Sequence, residues 1–228
     1  MKKVNPLILA LDVENFQRAK KFVIMLKGHI NIFKVGSILF TREGPRVVKM
    51  IKRLGKKVFL DLKYHDIPNT VAMAVKSAKE LGVDMLTIHT GGGFEMMREA
   101  AKNKGNIKLF GVTVLTSIDK KVLKTQLGVD RDVGKQVVRL AKMAKSAGLD
   151  GVVASGNEIK SIRKACGKKF LILVPGVRPR GESLGDQKRV VIPSDALERG
   201  ANFIVVGRPI LKASNPVKAA EAILKNMF

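Results

Sequence analysis

The stretch KELGVDMLTI, residues 79–88, gives the clearest indication of the fold, because its pattern returns twice later in the chain. KSAGLDGVVAS (145–155) and LERGANFIVVG (197–207) follow the same order: a helix end, a glycine, a short polar turn and an apolar strand. Glycine commonly ends a helix, since it adopts the left-handed conformation there without strain. The repeat predicts a chain in which helices and strands alternate.

Eight short apolar runs are candidate strands, with amphipathic segments between them. They are LILALD, INIFKVG, VFLDLK, MLTIHT, LFGVTVLT, GVVAS, FLILVPGV and FIVVGRP. Runs of Val, Ile and Leu that alternate with helices are typical of a parallel sheet buried on both faces. Eight units in 228 residues predict one domain, residues 1–228, folded as a (β/α)8 TIM barrel. A doubly wound open sheet is the alternative, which the missing Rossmann glycine fingerprint disfavours.

The composition is strongly basic, with 43 Lys and Arg against 19 Asp and Glu and a net charge of +24. Such a charge fits an anionic small substrate, nucleic acid or an anionic membrane. The lysines alternate with apolar residues at helical spacing, as on solvated helix faces, and one Tyr without any Trp offers little for bases to stack on. We expect a small anionic substrate as partner, and neither nucleic acid nor membrane.

Cysteine usage and the amino terminus bear on the compartment. Cys166 is the single cysteine, so it cannot form an internal disulfide, and no Cys/His pair has zinc spacing. The first apolar run is too short for a signal-peptide core, and no later run reaches membrane-spanning length. We therefore expect a cytoplasmic protein.

Ionisable and polar residues stand at the predicted carboxyl ends of the strands, where TIM barrels place their active sites. They are Asp12, Lys34, Asp61 with Lys63, His89, Thr116, Ser155, Arg178 and Arg208. Residues two apart on a strand share a face, so Asp61 and Lys63 should lie together, and Asp12 and Lys34 on neighbouring strands should join them.

Three interpretations of this charged set remain open. It could be an ion-pair network without chemistry, a magnesium site, or an active site in which Lys63 is a fixed cation or proton donor. Because we expect Asp61 and Asp66 to flank Lys63, a Schiff-base nucleophile and a metal are both disfavoured. His65 and His89 lack the spacing of a metal pair, and His89 is expected to pack or to support other residues.

The last two strand ends predict a phosphate site. PGVRPRGESLGDQKR (175–189) follows the seventh strand and VVGRPI (205–210) includes the end of the eighth. Loops at these positions of TIM barrels often bind phosphate through backbone N–H groups and arginine. Gly207 would let the backbone approach the ligand, and Arg208 would supply a forked donor.

Eight motifs resemble those of the bacterial orotidine 5′-phosphate decarboxylase family, in the same order and spacing from Leu9 to about Pro209. They are LALDV, FKVG, DLKYHDIPNT, TIHTGGG, VTVLTS, PGVRP, GDQKR and VVGRP. The resemblance implies a reaction that converts orotidine 5′-phosphate to UMP and CO2 in pyrimidine biosynthesis without a metal or cofactor. Two departures are Tyr64, where Phe is common, and the lysine-rich surface.

The resemblance also implies roles for individual residues. Lys63 would protonate C6 and Asp61 would lie near the departing carboxylate, while Lys34 and the partner subunit's copy of Asp66 would complete the catalytic network. The substrate-binding residues would be Asp12, Lys34, Asp61, Ile67, Thr70, Thr116, Arg178, Gln187, Gly207 and Arg208. Thr70 would come from the partner chain, so the resemblance implies a homodimer with shared sites.

Two other functions remain possible at this point. A metal-dependent sugar-phosphate decarboxylase or synthase on the same barrel would share the Asp-Lys-Asp core, but it has no use for IPNT and GDQ. A basic nucleic-acid-binding protein built on an inactive barrel would bind phosphates through its net positive charge. The charged set at the strand ends would then have no catalytic role.

Overall fold

Eight parallel strands close into a barrel in which each strand pairs with its neighbours in sequence and β8 pairs with β1. The structure, a computed structural model, describes residues 5–178 and 191–227. The strands are β1 (Leu7–Ala10), β2 (Ile32–Gly36), β3 (Lys57–Tyr64), β4 (Met85–His89), β5 (Lys108–Val112), β6 (Gly151–Val153), β7 (Leu171–Val174) and β8 (Phe203–Val206). All eight predicted strands are confirmed, and the open-sheet alternative is excluded.

Helices lie between successive strands and cover the outside of the barrel. Within the described ranges they are α1 (Phe16–Leu26), α2 (Ser37–Glu43), α3 (Pro45–Arg53), α4 (Pro68–Glu80), α5 (Gly93–Asn103), α6 (Lys120–Thr125), α7 (Val133–Ser146), α8 (Ile159–Cys166), α9 (Pro193–Glu198), α10 (Arg208–Leu211) and α11 (Pro216–Lys225). Asn15, Asp119, Asp132 and Asn215 cap helices by accepting a backbone N–H in the first turn. None of the helices in residues 5–178 and 191–227 is long and apolar enough to cross a membrane.

The apolar core has two layers because strand residues alternate between the barrel interior and the helix-facing side. The interior layer consists of Ile8, Ala10, Ile32, Phe59, Met85, Phe110, Leu173, Phe203 and Val205. The rings of Phe59 and Phe203 both contact that of Phe110, with centroids 6.4 and 6.2 Å away. The larger layer, between strands and helices, includes Leu9, Val35, Leu60 and Ile88. The described part of the barrel interior is therefore filled with apolar side chains.

The repeated sequence pattern has a structural cause at the amino-terminal end of the barrel. Asp84 precedes β4, and its Oδ2 accepts from the backbone N–H of Val58 at 2.8 Å and from Lys52 Nζ at 2.7 Å. The side chain just before an even-numbered strand thus accepts a hydrogen bond from the backbone of the preceding odd-numbered strand. It also contacts a cationic side chain from the helical segment that precedes the odd-numbered strand. We call this arrangement a polar clasp.

The same clasp occurs twice more in the described chain. Asp150 Oδ2, before β6, accepts from Leu109 N–H at 2.8 Å and Lys104 Nζ at 2.5 Å. Asn202 Oδ1, before β8, accepts from the Ile172 N–H at 2.9 Å and from Arg163 at 2.8 Å. In each case a glycine with positive φ stands two residues before the clasp residue. The polar turn of each repeat therefore fastens two strands together.

Candidate active site

The carboxyl-terminal end of the barrel carries a row of alternating charges from the first three strands. Lys34 Nζ, on β2, is 3.1 Å from Asp12 Oδ1 and 3.6 Å from Asp61 Oδ2. Lys63 Nζ, on β3, is 3.0 Å from each carboxylate oxygen of Asp61. The structure thus brings together four of the residues that the sequence singles out, in the order Asp12, Lys34, Asp61, Lys63.

Gly36 makes room for one end of this row. A Cβ at this position would lie 3.0 Å from Lys34 Nζ and 3.6 Å from Asp12 Oδ1, so a side chain here would push against the ion pair. Lys34 itself is buried, at 9% exposure. Glycine in the FKVG motif therefore lets a buried ammonium group reach a carboxylate on the neighbouring strand.

Asp61 is the centre of the row, and its surroundings favour its ionised form. Burial by itself raises the pKa of Asp61, but Lys34, Lys63 and the Thr87 hydroxyl hold it below its usual value. Thr87 Oγ1 donates to Asp61 Oδ1 at 2.9 Å and accepts from the Lys63 N–H at 3.0 Å. Sequence reasoning missed Thr87, although a single polar residue inside the apolar strand MLTIH was a signal that could have found it.

Lys63 has an unusual backbone conformation. Its φ of 51° is the one positive value among the described non-glycine residues, and the pairing of β3 with β4 shifts register between Leu60 and Tyr64. A residue held in this region costs of order 1–3 kcal/mol and usually marks a functional site. The predicted contact with Asp61 is present, but the reason given for it was wrong, since β3 is not a regular strand at this point.

Two cavities of about 200 Å³ each adjoin the charged row, and both are lined by Lys34 and Asp61. The first is mainly apolar, with Phe59, Leu173 and Thr116 among its lining residues. The second is the more polar of the two, and it is lined by residues that sequence analysis assigned to phosphate. These are Arg178, Gly207 and Arg208, and Asp12, which was expected to bind another part of the substrate, also lines this cavity. A ligand with a flat apolar part and an anionic part could fill both cavities.

Arg178 provides the best evidence for an anion in the polar cavity. The side chain is 5% exposed, and its Nε has no hydrogen-bond partner among the described residues. A buried donor without an acceptor is costly, so such a group usually serves a ligand or water. Gly207 lies beside it, and a Cβ there would be 3.5 Å from Asp12 Oδ2 and 3.4 Å from Ala10 Cβ. Gly207 itself lines the cavity.

The HDIPNT segment lies outside this cluster within the single chain. Asp66 is exposed, and its Oδ1 accepts from the Ile67 N–H at 2.6 Å. The expected placement of Lys63 between Asp61 and Asp66 is therefore wrong for one chain, because its ammonium contacts Asp61 alone among the described carboxylates. Ile67 is 66% exposed, and Thr70 is exposed too. Gln187 lies outside the described residues.

The carboxylates of the charged row are paired with lysine ammonium groups. Within residues 5–178 and 191–227, no three His, Cys, Asp or Glu side chains lie close enough to hold a metal ion together. The two carboxylates of the row are each 3.1 or 3.0 Å from an ammonium group, which occupies the position a cation would take. The row can bind polar groups and anions, and it carries acidic protons on two lysines.

A closed parallel barrel with ionised groups at the carboxyl ends of its strands defines a (β/α)8-barrel enzyme. A family model described as "Orotidine 5'-phosphate decarboxylase / HUMPS family" matches residues 5–223. The chain belongs to this family.

Curated relatives carry the name orotidine 5′-phosphate decarboxylase, a carboxy-lyase. The protein from Moorella thermoacetica is 48% identical, with 95% of this chain and 90% of that one covered. The protein from Geotalea uraniireducens is 49% identical, with 97% and 94% covered. The similarity therefore extends over nearly the full length of both sequences.

Solved structures of the same name share the fold. The crystal structure of orotidine 5′-phosphate decarboxylase from Lactobacillus acidophilus has a TM-score of 0.88 and 39% identity, covering 98% of this chain and 99% of that one. The enzyme from Pyrococcus horikoshii OT3 has a TM-score of 0.79 and 27% identity, covering 97% and 98%. The family resemblance predicted from the sequence is confirmed.

Proposed function

We propose that the protein decarboxylates orotidine 5′-phosphate to UMP and CO2 without a metal or cofactor. The observation that carries this proposal is the Asp61–Lys63 pair: both residues line the apolar cavity, and Asp61 also lines the polar cavity, where the described residues leave an arginine donor unpaired. The proposal includes a role in cytoplasmic de novo pyrimidine synthesis.

The substrate would span the two cavities. Its phosphate would accept hydrogen bonds from Arg178, Arg208 and the Gly207 backbone, with Gln187 of the loop after β7 as a further contact. The pyrimidine would lie in the apolar cavity beside Thr116. The ribose hydroxyls would bind Lys34, which lines both cavities, and its ion-pair partner Asp12. This placement positions C6 over the Asp61–Lys63 pair.

The chemical step would be carried by Lys63. The bond between C6 and the carboxylate breaks, CO2 leaves, and the electron pair stays on C6 in the ring plane, where the ring π system cannot delocalise it. A fixed ammonium group beside C6 offsets that charge as it develops. Lys63 then transfers a proton to C6, giving UMP, and regains a proton from solvent.

Asp61 would act in two ways: its negative charge would repel the substrate carboxylate, and its oxygens would position the Lys63 ammonium. Its depressed pKa keeps it ionised near the substrate carboxylate, where repulsion is relieved when CO2 departs. It also fixes the Lys63 ammonium, since both of its oxygens are 3.0 Å from Nζ. Binding of the remote phosphate can offset the cost of bringing two carboxylates together.

We further propose a homodimer in which each chain completes its partner's site. Asp66, Ile67 and Thr70 are exposed around the start of α4, as residues that contact a partner's substrate would be in an isolated chain. Large apolar side chains are also exposed, with Ile38 at 73% and Met73 at 51%. Such a surface favours association with a second copy.

The direct test of function is the loss of orotate absorbance when purified protein is mixed with orotidine 5′-phosphate in excess chelator. We expect full turnover, because no step uses a metal. Loss of activity in chelator that returns with a divalent metal would favour a metal-dependent barrel enzyme. Salt-sensitive RNA binding without turnover would favour the nucleic-acid-binding alternative.

The shared site is tested by subunit complementation. Lys63→Ala and Asp66→Asn homodimers should each be nearly inactive, but random mixing should restore about a quarter of wild-type activity, because half of the dimers carry one intact site. An inactive mixture, with subunit exchange verified by mass spectrometry, would contradict the shared site and leave the decarboxylase proposal standing.

A further inference from the structure

Two of the chain's three histidines face each other next to the charged row, and no step proposed above uses them. The rings of His65 and His89 stack with centroids 5.3 Å apart and planes 23° from parallel. His89 ends β4, and His65 follows the end of β3. The stack therefore joins two neighbouring strands at the carboxyl-terminal end of the barrel.

The glycine turn after β4 provides the surface on which the His65 ring lies. A Cβ at Gly92 would be 3.2 Å from His65 Cδ2 and 2.1 Å from the Met96 sulfur, and a Cβ at Gly91 would be 3.6 Å from His65 Cε1. Side chains at these positions would displace the ring or the Met96 side chain. The TGGG motif thus makes room for the histidine pair.

The stack lies directly after the irregular part of β3. Lys63 has a φ of 51°, its N–H donates to Thr87 on β4, and regular pairing resumes at Tyr64 opposite Ile88. His65 is the next residue, so its stacking on His89 is the next contact between the two segments. The backbone of Lys63 is thereby held to β4 on both sides.

We propose that the His65–His89 stack is a positioning device for the Lys63 ammonium and for the segment that carries Asp66. By fixing the chain after the irregular residue, the stack keeps the ammonium on Asp61 and sets the direction in which Asp66 and Ile67 leave the barrel. The catalytic consequence rests on the proposed function, whereas the structural one does not. Neither imidazole touches the reacting atoms in this arrangement.

The stack is suited to neutral rings. Burial lowers the pKa of His89, and the nearby His65 and Lys63 lower it further. The charged or titratable groups facing His89 are thus His65 and Lys63 from the β3 side, while the turn contributes Gly91 and Gly92. Protonation of His89 would add a positive charge beside two other basic groups and would loosen the stack.

The test compares His89→Ala, His89→Phe, His65→Ala and the double alanine variant, with His29→Ala as a control far from the site. We expect His89→Ala and His65→Ala each to lower kcat about 10- to 100-fold with KM changed less than about threefold, since small misplacements of a reacting group have effects of this size. His89→Phe keeps a stackable ring and should recover most of kcat. The double variant should lose no more than either single variant, because both remove one contact.

A second readout does not depend on turnover. Hydrogen exchange of the peptide covering residues 61–70 should be at least about tenfold faster in either alanine variant and close to wild type in His89→Phe and His29→Ala. His65 is exposed, so its alanine variant keeps the test valid if His89→Ala fails to fold. Unchanged exchange, additive losses in kcat, or a His89→Phe enzyme as slow as His89→Ala would each overturn the proposal. An inactive wild type with the expected exchange pattern would count against the decarboxylase function and not against the stack as a structural device.

Discussion

Both ends of the barrel pair aspartates with lysines, but they use the pairs differently. At the amino-terminal end, Asp84 accepts from a backbone N–H as well as from Lys52, so one oxygen serves the fold twice. At the carboxyl-terminal end, Asp61 accepts from no described backbone group and contacts two lysines and Thr87. The same residue types therefore stabilise strand pairing at one end and hold charge beside a cavity at the other.

Cavity size does not identify which end carries the candidate site. The amino-terminal end has a depression of about 820 Å³, lined by residues such as Lys57, Lys79 and Lys108, whereas each cavity beside the charged row is about 200 Å³. The unpaired arginine donor and the strained Lys63 backbone are at the carboxyl-terminal end. Backbone strain and unsatisfied donors thus locate the candidate site better than volume does.

The largest expected difference between the two ends is that between Lys63→Ala and Lys52→Ala. Loss of both the proton donor and the fixed cation should lower kcat by at least about 10⁴-fold in Lys63→Ala. Lys52→Ala should leave kcat within about twofold, because Lys52 serves only a clasp. Steady-state assays on both variants measure this, and appreciable turnover by Lys63→Ala would show that the proton donor is another group.

The next comparison is between Asp61 and Asp84. Substitution of Asp61 should change kcat, whereas substitution of Asp84 should change the free energy of unfolding. Asp61→Asn should lower kcat about 10²- to 10³-fold, the usual effect of removing one electrostatic group from an active site. Asp84→Asn should leave kcat unchanged but lower the free energy of unfolding by about 1–3 kcal/mol, since two hydrogen bonds lose their charged acceptor. Urea titration and kinetics on both proteins test the contrast, which fails if Asp84→Asn is the less active of the two.

A smaller effect is expected at the phosphate cavity. Arg208→Ala should lower kcat/KM for orotidine 5′-phosphate about 10- to 100-fold, because a hydrogen bond to a charged group contributes about 1.5–3 kcal/mol. The unphosphorylated nucleoside orotidine should react equally with both proteins. Arg199→Ala, which loses an exposed contact to Asp195 at 3.7 Å, is the control. If Arg208→Ala lowered kcat/KM equally for both substrates, Arg208 would not be a phosphate-binding residue.

The smallest effect is expected in the pH dependence of the free energy of unfolding, compared between His89 and the control residue His29. The lowered pKa of His89 means that the unfolded chain takes up a proton below about pH 6.5 before the folded chain does. The free energy of unfolding of the wild type should therefore fall relative to His89→Phe as the pH decreases through 6.5, and level off below the folded pKa. Urea titrations from pH 7.5 to 5 measure this, with His29→Phe as the control at the amino-terminal end. A difference that does not vary with pH would contradict the lowered pKa.

Much of the fold followed from local patterns in the sequence. The eight apolar runs and the glycines after helices such as α4 and α7 reflect short-range backbone preferences. Such preferences can be recognised in a single sequence. The sequence predicted only an amphipathic segment after β2 and did not divide it into the two helices α2 and α3. Most predicted strands were too long, whereas the structure extends VFLDLK by one residue at each end and LFGVTVLT by one residue at its start.

The candidate site was predictable in its residues and less so in its geometry. Asp12, Lys34, Asp61 and Lys63 come together because parallel strands place their ends side by side. Thr87 and the His65–His89 stack depend on the register shift between β3 and β4, which no periodicity in the sequence reveals. The position of Asp66 could not be settled from strand spacing either, because it follows the end of the strand.

The three polar clasps also divide the barrel into separable modules. Each clasp joins a helix end, an odd-numbered strand and the residue before the next even-numbered strand, so its partners all lie within one continuous stretch of chain. A cut in the loop after β4 or after β6 severs no clasp, whereas a cut just before β4 separates Asp84 from Val58. A four-strand fragment ending after β4 would keep its clasp whole, and the remaining fragment would keep the other two, so a break at this point removes no clasp from either fragment.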